Sequence, residues 1–412
     1  MAAGIQLPGD NETIDLQQQV FRLQALLEAS RQVHSTIRED EVFDSVLRIV
    51  VRELEMAGAA FTGTDFAYGD PIESIPLHPA PAGAPANRLQ PYESTAVPVF
   101  PLTDREGKRM TDLVVATPDG RPLTIYEENF LEGLALQAAV ALENARNHKR
   151  NVEFARVQQD LDAARRIQRS LLPQELPEIE GYSIGYRSAT CYEVGGDYLD
   201  ILTRPDGSLV MAVADVAGKG LASAIMSTSF RSAFRAMAFN EVPLDELATR
   251  MNEHHWMDGE EARRKYVTAI FLRLHPQAGE IEVVNAGHNP GMAVHPDGST
   301  CLFESVGTPL GMLPGMQYTS ERCGFPTGSR MLFYTDGLTE AFRGDEEFGP
   351  ERLMAHFSQC PSTRADDILD ALWTAIGDFV EGGPQGDDMT ALVLSRAADS
   401  RSVASRAAEL PA

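Results

Sequence analysis

The chain is short of basic residues, of cysteine and of long apolar runs, and each shortage removes a class of function. Of its 412 residues, 35 are Lys or Arg against 60 Asp or Glu, a formal charge of -25. A chain this acidic repels nucleic-acid phosphates and anionic lipid, so neither nucleic acid nor membrane is expected as a partner. It suits divalent cations, or a partner with a basic face. There are four cysteines, Cys191, Cys301, Cys323 and Cys360. No two lie at metal-ligand spacing, and none is followed six positions on by the Arg that a cysteine-based phosphatase needs. Reduced thiols in a cytoplasmic protein are the expectation. No uninterrupted apolar run approaches the ~20 residues of a membrane helix. Met1 to Gly9 lacks a basic patch followed by an apolar stretch, so no secretory signal is expected.

What is present divides into parts. A single core rarely grows beyond roughly 250–300 residues, so at least two domains are expected. The hydrophobic fraction, 43%, is that of an ordinary globular protein. Helical spacing of apolar residues marks helices over 12–38 and about 40–55. A Pro-, Gly- and Ala-rich stretch from Gly69 to Pro91 reads as an irregular loop. Strand-like runs follow at Thr95 to Phe100 and Asp112 to Thr117. A long helix then starts near Thr124, where Thr124 and Glu127 form a capping box. It continues to Leu172, where Pro173 and Pro177 stop it. Phe154, Val157, Leu161, Ala164, Gln168 and Leu171 recur in steps of three and four, the seam of a coiled coil; a helix packed on its own domain is the alternative.

Beyond Pro177 the texture becomes hairpins. Ile201 to Arg204 and Leu209 to Ala214 flank Asp206-Gly207. Val267 to Leu274 pairs with Ile281 to Asn285, and Met292 to His295 with Thr300 to Phe303. Tyr318 to Cys323 and Arg330 to Tyr334 read as another hairpin, and Met389 to Leu394 as a last strand. Helices are expected over Leu221 to Phe239, Leu244 to Met257, Pro350 to Phe357 and Arg364 to Val380. Strand clusters alternating with helix pairs predict an α+β domain of two packed sheets with helices outside.

The chemistry lies in carboxylates. With Asp206-Gly207 at the turn centre, Asp197 falls opposite Val216, beside Asp215; a longer turn shifts this by one residue. Like charges directly opposed across strands are destabilising unless solvated, protonated or bridged by a cation. Both aspartates adjoin glycine-rich backbone, Gly195-Gly196-Asp197 and Asp215-Val216-Ala217-Gly218-Lys219-Gly220. The segment after Gly218 opens a helix whose first amides favour an anion. Asp336 ends an apolar strand and Asp387 precedes one. A lone Asp-Gly after a strand is usually a turn. A set of such sites without histidine is an oxygen-only donor set, suited to Mg²⁺ or Mn²⁺ rather than Zn²⁺. Two such ions about 3.5–4 Å apart can hold and acidify a water and clamp a phosphoryl group.

Gly195-Gly196-Asp197-Tyr198, Asp215 to Gly220, Asn285-Ala286-Gly287-His288-Asn289-Pro290, Tyr334-Thr335-Asp336-Gly337-Leu338-Thr339-Glu340-Ala341 and Asp387-Asp388-Met389-Thr390 resemble, in order and content, the motifs of PPM-type serine/threonine phosphatases of the SpoIIE/RsbU branch. The resemblance spans about residues 155–396. It implies an αββα sandwich with two divalent metal ions, Mn²⁺ or Mg²⁺, and catalysis by Asp197, Asp215, Asp336 and Asp387. By position, Asp215 bridges the metals, Asp336 and Asp387 bind one of them, the Val216 carbonyl binds the other, and Asp197 acts on that second metal directly or through water. Asp388 is the less expected ligand of its pair. Gly218, Lys219 and Gly220 are candidates for holding substrate. Asn285 to Pro290 reads as structural.

The segment Leu161 to Pro173 resembles the linker that precedes this catalytic domain in the family, with Leu161, Gln168 and Leu171 as candidate regulatory positions. Residues about 20–150 resemble an α/β GAF sensor domain, best over Leu134 to Ala145. The expected division is an N-terminal segment 1–19, a GAF-like domain 20–150, a coiled-coil linker 151–176, a phosphatase domain 177–396 and a flexible tail 397–412. The implied substrate is a phosphorylated bacterial regulatory protein of the anti-sigma-factor-antagonist type, with homodimerisation through the linker helix and a small ligand in the GAF-like domain. Two other readings stand beside it: a non-catalytic pseudophosphatase scaffold, and a metal-dependent hydrolase of another phosphoester such as a nucleotide.

Overall fold

The computed structural model describes residues 24–70, 72 and 97–397. The segment 1–19, the start of the first expected helix (12–23), most of the Gly69 to Pro91 loop and the tail from 398 lie outside the described residues. The chain forms two compact units, Met1–Val157 and Gln158–Ala412.

In the first unit, α1 covers 24–33, shorter at its C-terminus than the expected 38, and ends in a turn at 34–35. Helix α2 (Glu39–Arg48) runs into a π-helical turn, Ile49–Glu53. Four antiparallel strands follow, β1 (Gly58–Phe61), β2 (Ala67–Gly69), β3 (Val99–Thr103) and β4 (Arg109–Ala116), in the order β2-β1-β4-β3. Val42, Phe43, Val46 and Leu47 of α2, Phe61, Leu113, and Leu131, Leu134, Ala138 and Leu142 of α3 (Ile125–Leu171) share one core. The capping box forms. Glu127 Oε2 accepts the Thr124 N–H at 2.7 Å, and Thr124 Oγ1 accepts the Glu127 N–H at 3.2 Å. Arg121 adds an ion pair at 2.6 Å, and chiefly through that bond the Glu127 carboxyl is pulled down to about 2.

The second unit begins within the last turns of α3. It contains two five-stranded antiparallel sheets. One has β6 (Tyr198–Thr203), β7 (Leu209–Val216), β8 (Val267–His275), β9 (Glu280–Ala286) and β12 (Glu321–Gly324), in the order β12-β9-β8-β7-β6. The other has β5 (Tyr182–Ala189), β10 (Gly291–Val294), β11 (Thr300–Phe303), β13 (Arg330–Tyr334) and β16 (Met389–Arg396), in the order β11-β10-β13-β16-β5. Alternation decides the layers. Leu199, Met211, Val213, Ile270 and Leu272 face Met331, Phe333, Leu392 and Leu394 between the sheets. The opposite face of the first sheet, with Val210, Ala212 and Phe271, buries α4 (Leu221–Ala238) and α5 (Leu244–Met257). The opposite face of the second sheet, with Leu332, Tyr334 and Val393, buries α7 (Gly349–Gln359) and α8 (Ala365–Val380). The result is helix, sheet, sheet, helix; the short α6 (Glu260–Arg263) precedes β8, and β14 (Phe342–Arg343) and β15 (Glu346–Glu347) form a two-stranded ribbon before α7.

One sequence expectation fails here, and one strand was not expected at all. The Tyr318–Tyr334 stretch is not a hairpin. β12 pairs with β9 and β13 pairs with β10 and β16, so the turn at 324–329 crosses from one sheet to the other. A turn looks the same in sequence whether the chain returns beside itself or changes layer. Strand β5, paired along its whole length with β16, escaped the sequence reading because Tyr182-Ser183-Ile184-Gly185 offers too little alternation.

Candidate active site

Strand pairing brings the first two aspartates together. Tyr198 is opposite Ala214, so one further step places Asp197 opposite Asp215 rather than Val216. The five-residue turn from Arg204 to Ser208 causes this one-residue shift; its Arg204 N–H is accepted by the Ser208 carbonyl at 2.8 Å. Across the sheet interface, Thr335 Oγ1 donates to Asp197 Oδ2 at 2.8 Å and accepts the Thr390 N–H at 2.9 Å. This one hydroxyl ties Asp197 to the strand ends that carry Asp336 and Asp387. Gly337 makes that approach possible: a Cβ there would overlap the Asp388 carbonyl.

The electrostatics record the convergence. Asp215 is pushed up to about 7, first by burial and then by Asp336, Asp387 and Asp388. Asp197 is raised well above the usual carboxylate range by burial and by Asp215. Asp336 is raised by burial and by Asp387, and Glu340 by burial and by Asp336. Asp197, Asp215 and Asp336 are largely out of water and near other carboxylates, so each calls for a proton or a cation.

Protein donors already satisfy several of these groups. Lys219 Nζ lies 2.8 Å from Asp387 Oδ2 and 2.7 Å from the Gly386 carbonyl. Asp388 accepts the Cys191 and Gly196 N–H groups, each at 2.7 Å, and so braces the loop before Asp197. Its oxygens are spent on backbone, whereas Asp387 faces the cleft. Among the described residues no three His, Cys, Asp or Glu side chains stand as a ready-made metal-binding group. The donor chemistry nevertheless fits hard divalent cations, because the aspartates gathered here offer only oxygen ligands. Gly196 leaves a cradle there: a Cβ in its place would lie 3.0 Å from the Val216 carbonyl oxygen and 3.3 Å from Asp215 Oδ1.

The surrounding helices hold this arrangement. Gly218 and Gly220 have φ of +90° and +81°, which lets the chain reverse between β7 and α4. Fully buried Asp200 takes Arg235 of α4 through both oxygens, at 2.6 and 2.9 Å, and the Tyr198 hydroxyl at 2.6 Å. Ser227 Oγ donates to the Asp197 carbonyl at 3.3 Å. At the end of α3, Gln168 Nε2 donates to the Gly195 carbonyl at 2.7 Å, and Gln168 Oε1 accepts the Gly195 N–H at 3.1 Å. Arg231 Nε donates to the Leu171 carbonyl at 3.1 Å, while Leu161 is half-buried. Gln168, expected on a coiled-coil seam, therefore bonds to its own catalytic unit.

His288 is buried, with Nδ1 2.9 Å from Thr268 Oγ1, and burial drives it down to about 4. Asn285 Nδ2 donates to the His288 and Phe303 carbonyls, each at 3.1 Å, so this motif closes a loop. His255 is likewise inward, at 2.8 Å from the Lys265 carbonyl. Sequence reasoning missed Thr335, Glu340 and the bracing role of Asp388. Only adjacency to the motif aspartates signals them, and adjacency says nothing about which way a side chain turns.

A family model described as "Stage II sporulation protein E (SpoIIE)" matches residues 205–397. Protein IcfG of Synechocystis sp. is 25% identical over 263 residues, covering 58% of this chain and 41% of its own length. Phosphoserine phosphatase RsbP of Bacillus subtilis is 25% identical over 231 residues, covering 56% of each chain. This chain thus spans about half the length of these relatives. The SiaA-PP2C domain of Pseudomonas aeruginosa has the same fold, with a TM-score of 0.52 at 19% identity, covering 59% of this chain and 98% of that domain. The second unit is thus similar to PPM-type phosphatases of the SpoIIE/RsbU branch, the family model covering the stretch that carries Asp215, Asp336 and Asp387.

Proposed function

We propose that the chain is a metal-dependent protein serine/threonine phosphatase, regulated by its N-terminal unit and acting on a phosphorylated bacterial regulatory protein of the anti-sigma-factor-antagonist type. The observation that carries this reading is the convergence of Asp197, Asp215, Asp336 and Asp387 on one cleft. The name of RsbP, a phosphoserine phosphatase, supports the same substrate class.

Asp215, between both halves of the cleft, would be shared by two divalent ions, Mn²⁺ or Mg²⁺. Asp336 and Asp387 would complete one site; the Val216 carbonyl and Asp197 would complete the other. Bound there, such ions supply an acidified water and Lewis-acid polarisation of a phosphoryl group. The chain's own part is positioning. Thr335 orients Asp197, and Asp388 and Gln168 fix the loop before it. Lys219 screens Asp387, and Gly218 to Gly220 leave room for a phosphate at the start of α4.

The four-stranded antiparallel sheet packed against helices supports a GAF-like sensor in the first unit. Phe154 and Val157, 72% and 48% exposed on α3, support a homodimer seam there. In this reading the helix end transmits the signal, because Gln168 touches the site loop. A small ligand in the sensor and a cytoplasmic location belong to the same proposal.

The test is phosphate release from phosphoserine and phosphothreonine peptides, with nucleotides in parallel, in Mn²⁺ and in Mg²⁺. Turnover of the peptides that D215N abolishes is expected. Faster turnover of nucleotides would favour the other-phosphoester reading, and no turnover of either would favour the scaffold.

A further inference from the structure

We propose that Lys265 is the side chain that grips the substrate phosphate. This rests on the phosphatase reading above. A phosphate monoester brings negative charge into a cleft already lined by Asp197, Asp215, Asp336 and Asp387, so it needs a cation not already spent on a carboxylate.

The obvious cations are committed. Lys219 holds Asp387 and the Gly386 carbonyl at 2.8 and 2.7 Å. On α4, Arg235 holds Asp200 through both oxygens, and Arg231 caps the Leu171 carbonyl.

Lys265 precedes β8. Its carbonyl lies 2.8 Å from His255 Nε2 and its N–H is accepted by the Ala262 carbonyl at 2.8 Å. The next carbonyl, of Tyr266, accepts the Ala217 N–H at 2.9 Å, which sets residue 265 beside the loop leaving Asp215 and Val216. From this fixed backbone the side chain reaches over Gly218, where a Cβ would overlap the Lys265 ammonium. Gly218 is therefore required twice, by its φ of +90° and by the cation above it. Gly218 lies two residues after Val216 and three before the first residue of α4, so the ammonium stands over the loop that joins the two. A flexible stem with a compact charge suits a phosphate whose position changes during reaction.

The experiment compares wild type, K265M and K265R as full chains loaded with Mg²⁺, by phosphopeptide kinetics and by inhibition with inorganic phosphate. K265M should raise KM and the phosphate inhibition constant about tenfold each, the loss of one charge-assisted hydrogen bond. Magnesium affinity by calorimetry should stay within twofold, and K265R should recover most of the phosphate affinity. As a readout that needs no variant, reductively methylated wild-type protein is titrated with inorganic phosphate. The methyl NMR signal of Lys265 should move. A stationary signal, or wild-type constants in K265M, overturns the assignment while wild-type turnover leaves the phosphatase reading standing. Absence of wild-type turnover would fail that reading instead, and phosphate binding read by NMR would still decide for or against Lys265.

Discussion

The side-chain amide of Gln168 closes a two-bond ring with the backbone of Gly195, two residues before Asp197. The end of a helix and the loop of a candidate metal ligand thereby become one structural unit. Asp388 holds the same loop from the opposite side, through the Gly196 and Cys191 amides.

Replacing Gln168 with Ala should leave both Gly195 groups short of a partner, at a cost of about 1–3 kcal/mol. A melting temperature lower by several degrees is expected, with a larger loss of phosphate release than of stability, because Asp197 is no longer held. Calorimetry and kinetics on the full chain check this. Unchanged turnover would remove Gln168 from the site.

Asp388→Asn keeps the shape but leaves one oxygen where two accept N–H groups. A loss of about 1–3 kcal/mol is expected, with a moderate fall in metal affinity. Asp387→Asn should do the reverse: little change in melting temperature and a large fall in metal affinity. Isothermal titration with Mn²⁺ separates the two, and equal effects would contradict the division of roles.

The metal-free chain should be stabilised by mild acid. Asp215, raised to about 7, favours the protonated form on folding, so its contribution is present below the unfolded carboxylate range and is lost as pH rises through 7. Asp197 acts in the same direction. His288, lowered to about 4, opposes them only as pH falls below its ordinary value near 6.5. Differential scanning calorimetry with and without Mn²⁺ should therefore show a larger metal-induced rise in melting temperature at pH 8 than at pH 5.5. Asp215→Asn should stabilise the metal-free protein at pH 8 and abolish that rise.

Gly218→Ala places a Cβ in a left-handed backbone and against the Lys265 ammonium. A destabilisation of at least about 1 kcal/mol is expected from the backbone alone. Urea denaturation measures it, and a neutral result would mean the loop relaxes freely.

Much of the molecule was legible in advance. Apolar runs bounded by turn residues mark β6, β7, β8 and β9, and helical spacing marks α4 and α5, because burial and turn chemistry are local constraints that leave their pattern in the chain. The Thr124 and Glu127 capping box was readable for the same reason, since its partners are three residues apart. The hairpin drawn across 318–334 failed because a turn's residues do not say whether the next strand stays in its sheet. Gln168 looked like a seam position because spacing along a helix cannot distinguish which surface faces it.

Alone, the sequence determined the oxygen-only donors, their glycine-rich settings and the order of elements, because these rest on residue chemistry and nearest neighbours. Only the tertiary structure decided that Asp197 stands opposite Asp215, that Thr335 links it to the other sheet, that Gln168 and Asp388 hold the loop before Asp197, and that Lys265 lies over Gly218. Those facts join residues far apart along the chain. Register, layer crossing and side-chain direction set them, and each is fixed by packing against partners that no local pattern names.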